Sequence, residues 1–499
     1  MSPAGAHHFI AIDLGAESGR VMLGTLDGGK LTLEEVHRFP NGAIRVLGTL
    51  RWDLPRIFHE IKAGLRMIAT RGLKIESVSV DSWGLDFALI RGREPLLRLP
   101  YVYRDARTEG PYVEARATAE AEIFEHTGIQ FMPINTLYQL LADAREDAAL
   151  LAMADRMLLV ADWLHYLLCG RAVAEETNAS TTQLYDPRKR AWSDALIEKF
   201  DLPRRIFPEI VKAGTVLDVL LPEMREETGL GAVPVIAGCT HDTAAAVAAV
   251  PASGEDWAYL SSGTWSLIGV ELPQPLIDDA VREANFTNEA GYGGTTRFLK
   301  NIAGMWLVQE CRAAWAREGR EMDYATITAL AAEAPPLRSL IDPNDPRFLR
   351  PADMPAEIRG FCRATGQAEP ATPGEFARCI FESLALCYGT TLDEIERLTG
   401  RAIRVLHIVG GGSKNALLNQ FAADASGRTV IAGPGEATAV GNVLVQALAA
   451  RRIPSLAAAR GVVRESFEAV TFTPREASAW DGARDFFSNW SGGGGSLDS

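Results

Sequence analysis

The chain has 499 residues, too many for one hydrophobic core and enough for two large domains. Hydrophobic residues at 47% and charged residues at 23% exclude extended disorder, and a formal net charge of −14 argues against nucleic acid or an anionic membrane as the main partner. The six cysteines (Cys169, Cys239, Cys311, Cys362, Cys379 and Cys387) are scattered without Cys-x-x-Cys spacing, so buried reduced thiols are expected rather than a disulfide framework or a cysteine metal site.

The opening "MSPAGAHHF" has no basic segment followed by an apolar run, so no signal peptide is expected and a cytoplasmic location is predicted. Phe9–Leu14, Val21–Leu26 and the stretch carrying Leu31, Leu33 and Val36 predict an antiparallel meander, with "GAESG" and "DGGK" as its turns. Asp53 and Pro55 open a predicted helix whose Leu54, Ile57, Phe58, Ile61, Leu65 and Ile68 fall at helical spacing. "IESVSVDSWG" predicts the next strand, and three strands, a helix and a strand begin a mixed α/β sheet domain. The most apolar stretch, Met157–Cys169, carries Asp162 and His165 and is too short to span a bilayer. Val233–Val250 reads as a buried strand followed by a helix with a small-residue face, and "VPASGED" (Val250–Asp256) as a breaker-rich joint. Beyond the joint, Trp257–Leu272 repeats the strand, turn, strand pattern of Phe9–Leu26, and "VLHIVGGGSKN" ends another strand in glycines. This self-similarity predicts two related domains, 1–250 and 251–485, followed by a flexible Gly/Ser-rich tail at 486–499.

Several segments combine residue types suited to phosphate or sugar chemistry. In Asp13–Arg20 a glycine turn offers backbone donors for phosphate, Ser18 a hydroxyl, Arg20 a fixed positive charge and Asp13 a carboxylate for Mg²⁺; an ordinary hairpin fits the same residues. "SSGTWS" (Ser261–Ser266) could form a second phosphate cradle, and the glycines Gly410–Gly412 let a ligand such as adenosine approach the backbone. Asp242 stands at a helix start, where capping is the plainer reading and a general base for a sugar hydroxyl the functional one. The helix N-terminus is expected to lower its pKa. "DSWGLDF", "YRDART", "NTLYQL" and "TNASTTQL" bring amide, carboxylate, arginine and aromatic groups to the first half and predict a polyol site there.

The strings "DLGAESGRV", "VDSWGLDF", "YRDART", "NTLYQL", "TNASTTQL", "THDTA", "YLSSGTWSL", "FLKNIAGMWL" and "LHIVGGGSKN", taken together and in order, resemble the FGGY carbohydrate kinases from about Phe9 to about Pro474. The resemblance implies an α/β protein of two related actin-like (ribonuclease H-like) ATPase domains with an interdomain cleft, the first binding sugar and the second nucleotide. It implies ATP-dependent phosphorylation of a small ketose with Mg²⁺ as cofactor, in a monomer or small homo-oligomer without nucleic acid or membrane partners. By the same resemblance Ala16, Glu17, Ser18, Gly19, Arg20, Thr264, Gln309 and Gly411 would contact ATP. Gly84, His241, Asp242, Thr243 and Asn301 would hold the sugar, with Asp242 as proton acceptor and Asp13 on the metal. Several ketoses fit, and so does a non-catalytic sugar sensor on the same scaffold; the joint presence of Asp13, Arg20, Asp242 and Thr264 favours catalysis, since a binder needs no base.

Overall fold

The computed structural model describes residues 5–475 and 477–491. They gather into two compact units, neither continuous in sequence. The first takes the residues up to Pro251, then Glu271–Leu299 and Ala437–Phe467; the second takes Ala252–Val270, Lys300–Glu436 and the residues from Glu468 on. The breaker-rich joint at 250–256 coincides with the first of these crossings.

The first unit is built on a six-stranded sheet: β1 (His7–Leu14), β2 (Ser18–Asp27), β3 (Lys30–Pro40), β4 (Ile75–Ser82), β5 (Thr215–Val219) and β6 (Pro234–Ala237), in the order β5-β6-β4-β1-β2-β3. β1, β2 and β3 form the antiparallel meander, while β4 runs parallel to both β1 and β6. Phe9, Ile10, Ala11 and Ile12 are all fully buried, the sign of a strand covered on both faces.

Two helices provide that cover, and two glycines on opposite faces of the sheet let them come close. In the helix Leu54–Ala69, Asp53 caps the start by accepting from the Arg56 N–H, and Leu54, Ile57, Ile61, Leu65 and Ile68 point to the core. A Cβ on its Gly64 would sit 2.6 Å from Val21. On the other face lies the helix Ala437–Ala449, where a Cβ on Gly24 of β2 would meet Val443 at 2.6 Å. The same helix packs so tightly on the short helix Asp242–Ala248 that a Cβ on Gly441 would come within 1.7 Å of the Ala245 carbonyl oxygen. It is also fastened by polar groups: Gln446 donates to the Ile10 carbonyl and accepts from Ser77 Oγ. The first sheet therefore needs this late segment of chain to complete its core.

The second unit repeats the pattern. β7 (Trp257–Ser262), β8 (Trp265–Leu272), β9 (Val405–Val409), β10 (Thr429–Ala432) and β11 (Val470–Phe472) are arranged β8-β7-β9-β10-β11. An antiparallel hairpin, β7 with β8, is again joined by a strand, β9, parallel to its first member. The long helix Pro373–Thr399 begins with a reciprocal Thr372/Glu375 capping box and Pro373 in its first turn, and ends at left-handed Gly400.

A helix spans Ala477–Ser491, so the first residues of the expected tail 486–499 continue a helix; 492–499 lie outside the described residues. All six cysteines are buried and free of disulfides. Among the described residues no helix is long and apolar enough to cross a membrane.

Candidate active site

In the first unit the carboxyl ends of three parallel strands collect the acidic candidates, the usual place for ligands in an open α/β sheet. Asp13 near the end of β1 is in register with Asp81 on β4. Ser82 bridges to His241 in the stretch after β6, which brings Asp242 to the same end of the sheet. Arg20 on β2, in register with Asp13, donates to its carboxylate. Of the expected phosphate loop, Ala16 and Glu17 form the turn, whereas Ser18, Gly19 and Arg20 open β2. Asn41 closes the turn by donating to the Gly15 and Glu17 carbonyls.

Asp81 is fully buried, and sequence reasoning had grouped it only with the sugar-binding segments. One of its oxygens, Oδ2, accepts from Asn442 Nδ2 at 2.6 Å, and the other, Oδ1, is buried without a hydrogen-bond partner. Burial pushes its pKa well above the ordinary carboxylate value, and the negative charges of Asp13 and Asp242 add to the push. An orphaned oxygen among mutually repelling carboxylates suits a hard divalent cation. Among the described residues no three His, Cys, Asp or Glu side chains meet at metal-binding spacing, but Mg²⁺ commonly takes only one or two carboxylates and keeps its waters. Asp13 and Asp81 fit that donor set.

Asp242 is the first residue of its helix, and His241, not Asp242, is the N-cap. The capping expectation therefore fails: the Asp242 side chain serves its own neighbour. Its Oδ1 accepts from the Thr243 N–H at 2.5 Å and from Thr243 Oγ1 at 3.2 Å, and lies 3.4 Å from His241 Nε2. Oδ2 makes no hydrogen bond to the described residues, and 32% of the side chain remains exposed. The expected lowering of its pKa is reversed. Burial raises it, His241 and the Thr243 N–H pull the other way, and Asp13 adds repulsion. A seven-residue helix offers too little dipole to win against desolvation.

The segment around Asp242 is anchored from below. Fully buried Glu175 accepts from the N–H and hydroxyl of Thr240, both at 2.9 Å, and Thr177 Oγ1 accepts from the His241 N–H. The predicted sugar segments also converge in this unit. Asp86 is a hub whose Oδ2 accepts from Trp52 Nε1 (2.6 Å), Trp83 Nε1 (3.0 Å) and the Tyr103 N–H, while Oδ1 accepts from Gln139 Nε2. The two indole rings pack 4.2 Å apart. Gly84, next in sequence to Trp83, has no room for a side chain without pressing on Thr181, since a Cβ would lie 3.1 Å from its hydroxyl. Burial pushes Asp86 up to about 7, and its four donors oppose the rise.

The second unit brings together Thr264, Gln309 and the glycine run. Gln309 Nε2 donates to Thr264 Oγ1 at 3.4 Å, and the Thr264 carbonyl accepts from the Gly304 and Trp306 N–H groups. Gly410–Gly412 lies against the β7–β8 turn: Gly410 has φ +83°, and a Cβ on Gly412 would meet Ser262 Oγ at 1.9 Å. Gly411 has nothing within 4 Å of where its Cβ would be, leaving its backbone open to a ligand. Asn301 belongs to this unit, on the later part of the strand Thr296–Ala303, whose residues through Leu299 belong to the first unit together with Gly84, His241, Asp242 and Thr243.

Model-based comparison matches residues 8–249 to the N-terminal domain and 258–450 to the C-terminal domain of the FGGY family of carbohydrate kinases. The chain is 44% identical to a rhamnulokinase of Bacteroides thetaiotaomicron over 97% of its own length and 99% of that protein's. It is 42% identical to a rhamnulokinase of Bacillus subtilis, over 94% and 96% of the two lengths. Among solved structures, a ligand-bound xylulose kinase from Lactobacillus acidophilus superposes with a TM-score of 0.80 at 16% identity, and Plasmodium falciparum glycerol kinase with ADP with 0.75 at 15%; each covers 97% of both chains.

Proposed function

Because the chain belongs to the FGGY family of carbohydrate kinases, and is an ATP-dependent sugar kinase with that family's two-domain, actin-like ATPase fold, we propose that it transfers the γ-phosphoryl group of ATP to the C1 hydroxyl of L-rhamnulose, giving L-rhamnulose 1-phosphate. Likeness to proteins named rhamnulokinase along nearly the whole of both chains supports L-rhamnulose as the acceptor.

The observation that carries the chemistry is the asymmetry of the Asp242 carboxylate. Oδ1 is held by Thr243 and faces His241, while Oδ2 is unoccupied by hydrogen bonds to the described residues and is the atom that accepts the hydroxyl proton. Burial makes this carboxylate a better base than an ordinary aspartate. The Trp83–Asp86 hub, with Gly84 and Thr181 beside it, forms the firm wall on which the ketose rests. In the second unit Thr264, Gln309 and Gly411 are the residues that hold ATP, and in the first the Ala16–Glu17 turn and the Ser18–Arg20 segment offer groups suited to phosphate. Arg20 donates to Asp13 and offsets part of the negative charge gathered at this end of the sheet. Asp13 and Asp81 would hold Mg²⁺, which when bound would supply charge stabilisation for phosphoryl transfer.

The test is coupled ADP detection over a panel of L-rhamnulose, L-fuculose and L-xylulose. The proposal expects L-rhamnulose to give the highest kcat/KM, with release dependent on added Mg²⁺. Preference for another ketose moves the substrate, and ADP release indifferent to every sugar contradicts the reading.

A further inference from the structure

The imidazole beside Asp242 is gripped from behind by a buried ion pair that the proposed mechanism does not use. We propose that Arg297, supported by Glu289, is a positioning residue that locks His241 in the tautomer protonated on Nε2, so that the ring turns an N–H toward the Asp242 carboxylate. Arg297 is fully buried on the strand Thr296–Ala303, directly opposite Glu289 in the antiparallel register with Thr287–Ala290. Its Nε donates to the Ala290 carbonyl at 3.0 Å, which fixes the guanidinium plane. Its Nη2 lies 3.0 Å from His241 Nδ1 and 3.0 Å from Glu289 Oε2.

The tautomer follows from what a guanidinium can do. It carries only donors and does not give up a proton, so at 3.0 Å the facing Nδ1 must offer its lone pair. A proton on Nδ1 would set N–H against N–H between two buried side chains. The ring proton therefore sits on Nε2, 3.4 Å from Asp242 Oδ1. Glu289 Oε2 is the competing acceptor, 3.4 Å from Nδ1, and would favour the opposite tautomer. It is closer to the guanidinium, whose charge it compensates without forming a hydrogen bond to it. Against the upward push of burial, the Arg297 charge draws the Glu289 pKa below its ordinary value, so the pair stays ionised. An Nε2–H beside Oδ1 holds the carboxylate plane and leaves Oδ2 to the substrate; this functional half rests on Asp242 being the base.

The experiment is nitrogen NMR of ligand-free protein labelled with ¹⁵N-histidine, with the His241 signals assigned by their loss in His241→Gln. The inference expects an unprotonated Nδ1 and a protonated Nε2 at neutral pH. In Arg297→Met, with Glu289 Oε2 left as the acceptor facing Nδ1, the signals shift toward the tautomer protonated on Nδ1, and KM for the sugar rises about tenfold while KM for ATP stays within about twofold. Arg297→Lys, which keeps a cationic donor, recovers part of both effects. A proton on Nδ1 in the parent protein overturns the inference even if no Arg297 variant folds; so does a folded Arg297→Met variant with an unchanged His241 spectrum. Because the spectrum needs no substrate, a correct tautomer without sugar-dependent ADP release sinks the kinase reading alone. The wrong tautomer with normal turnover sinks this inference alone.

Discussion

Replacing Asp86 with Asn exchanges one carboxylate oxygen of a four-donor hub for an NH₂ group. The substitution costs least with that NH₂ facing Gln139, where it loses one hydrogen bond and sets two buried donors against each other, a penalty of about 1–3 kcal/mol. The pH dependence is the sharper signature. A folded-state pKa raised to about 7 contributes stability that is fully present below the unfolded value near 3.8 and is lost as pH rises through 7. At about 1.4 kcal/mol per tenfold, the parent protein loses about 2.5 kcal/mol from this group between pH 5 and pH 8. The Asp86→Asn side chain has no proton to lose, so the variant lacks that slope. Urea unfolding of both proteins followed by tryptophan fluorescence, to which Trp52 and Trp83 contribute, isolates the effect because all other titrations cancel in the difference. The parent should lead the variant by more at pH 5 than at pH 8. A difference independent of pH, or one that widens toward alkaline pH, refutes the reasoning.

Gly412→Ala forces a Cβ to within 1.9 Å of Ser262 Oγ and displaces the β7–β8 turn; KM for ATP should rise about tenfold in steady-state assays while KM for the sugar stays within about twofold. Asn442→Leu removes the hydrogen bond to Asp81 Oδ2 and leaves a fully buried carboxylate with neither oxygen supported; a fall of about 3 kcal/mol in urea stability is expected. Asp13→Ala should raise the Mg²⁺ concentration needed for half-maximal turnover by about tenfold or more, measured by metal titration at saturating ATP.

The features legible in the sequence were those written locally. The β1–β2–β3 meander shows in its apolar runs and glycine turns, the helix Leu54–Ala69 in its Asp53 cap and 3.6-residue spacing, and the second hairpin in its likeness to the first. Asp242 could be picked out, but not its state, because the desolvation that raises its pKa comes from packing around it and not from its place on the helix. The return of Ala437–Phe467 to the first unit was hidden, since nothing in that apolar stretch names the sheet it will cover. The polar fasteners were hidden for the same reason. Asn442 meets Asp81 and Arg297 meets His241 across long spans of chain, and a lone buried amide or guanidinium leaves no periodic trace. A faint signal did exist in the small and polar residues Gly441, Asn442 and Gln446 interrupting an otherwise apolar helix, which marks tight packing and buried hydrogen bonds.

The most direct test of Asp242 as the proton acceptor is turnover of L-rhamnulose by Asp242→Asn, with ATP binding measured alongside. The asparagine keeps an oxygen for the Thr243 N–H but offers no base at the second position, so ATP should bind with near-parent affinity while kcat falls by roughly 10²-fold or more. A variant that turns over L-rhamnulose at close to the parent rate contradicts the account.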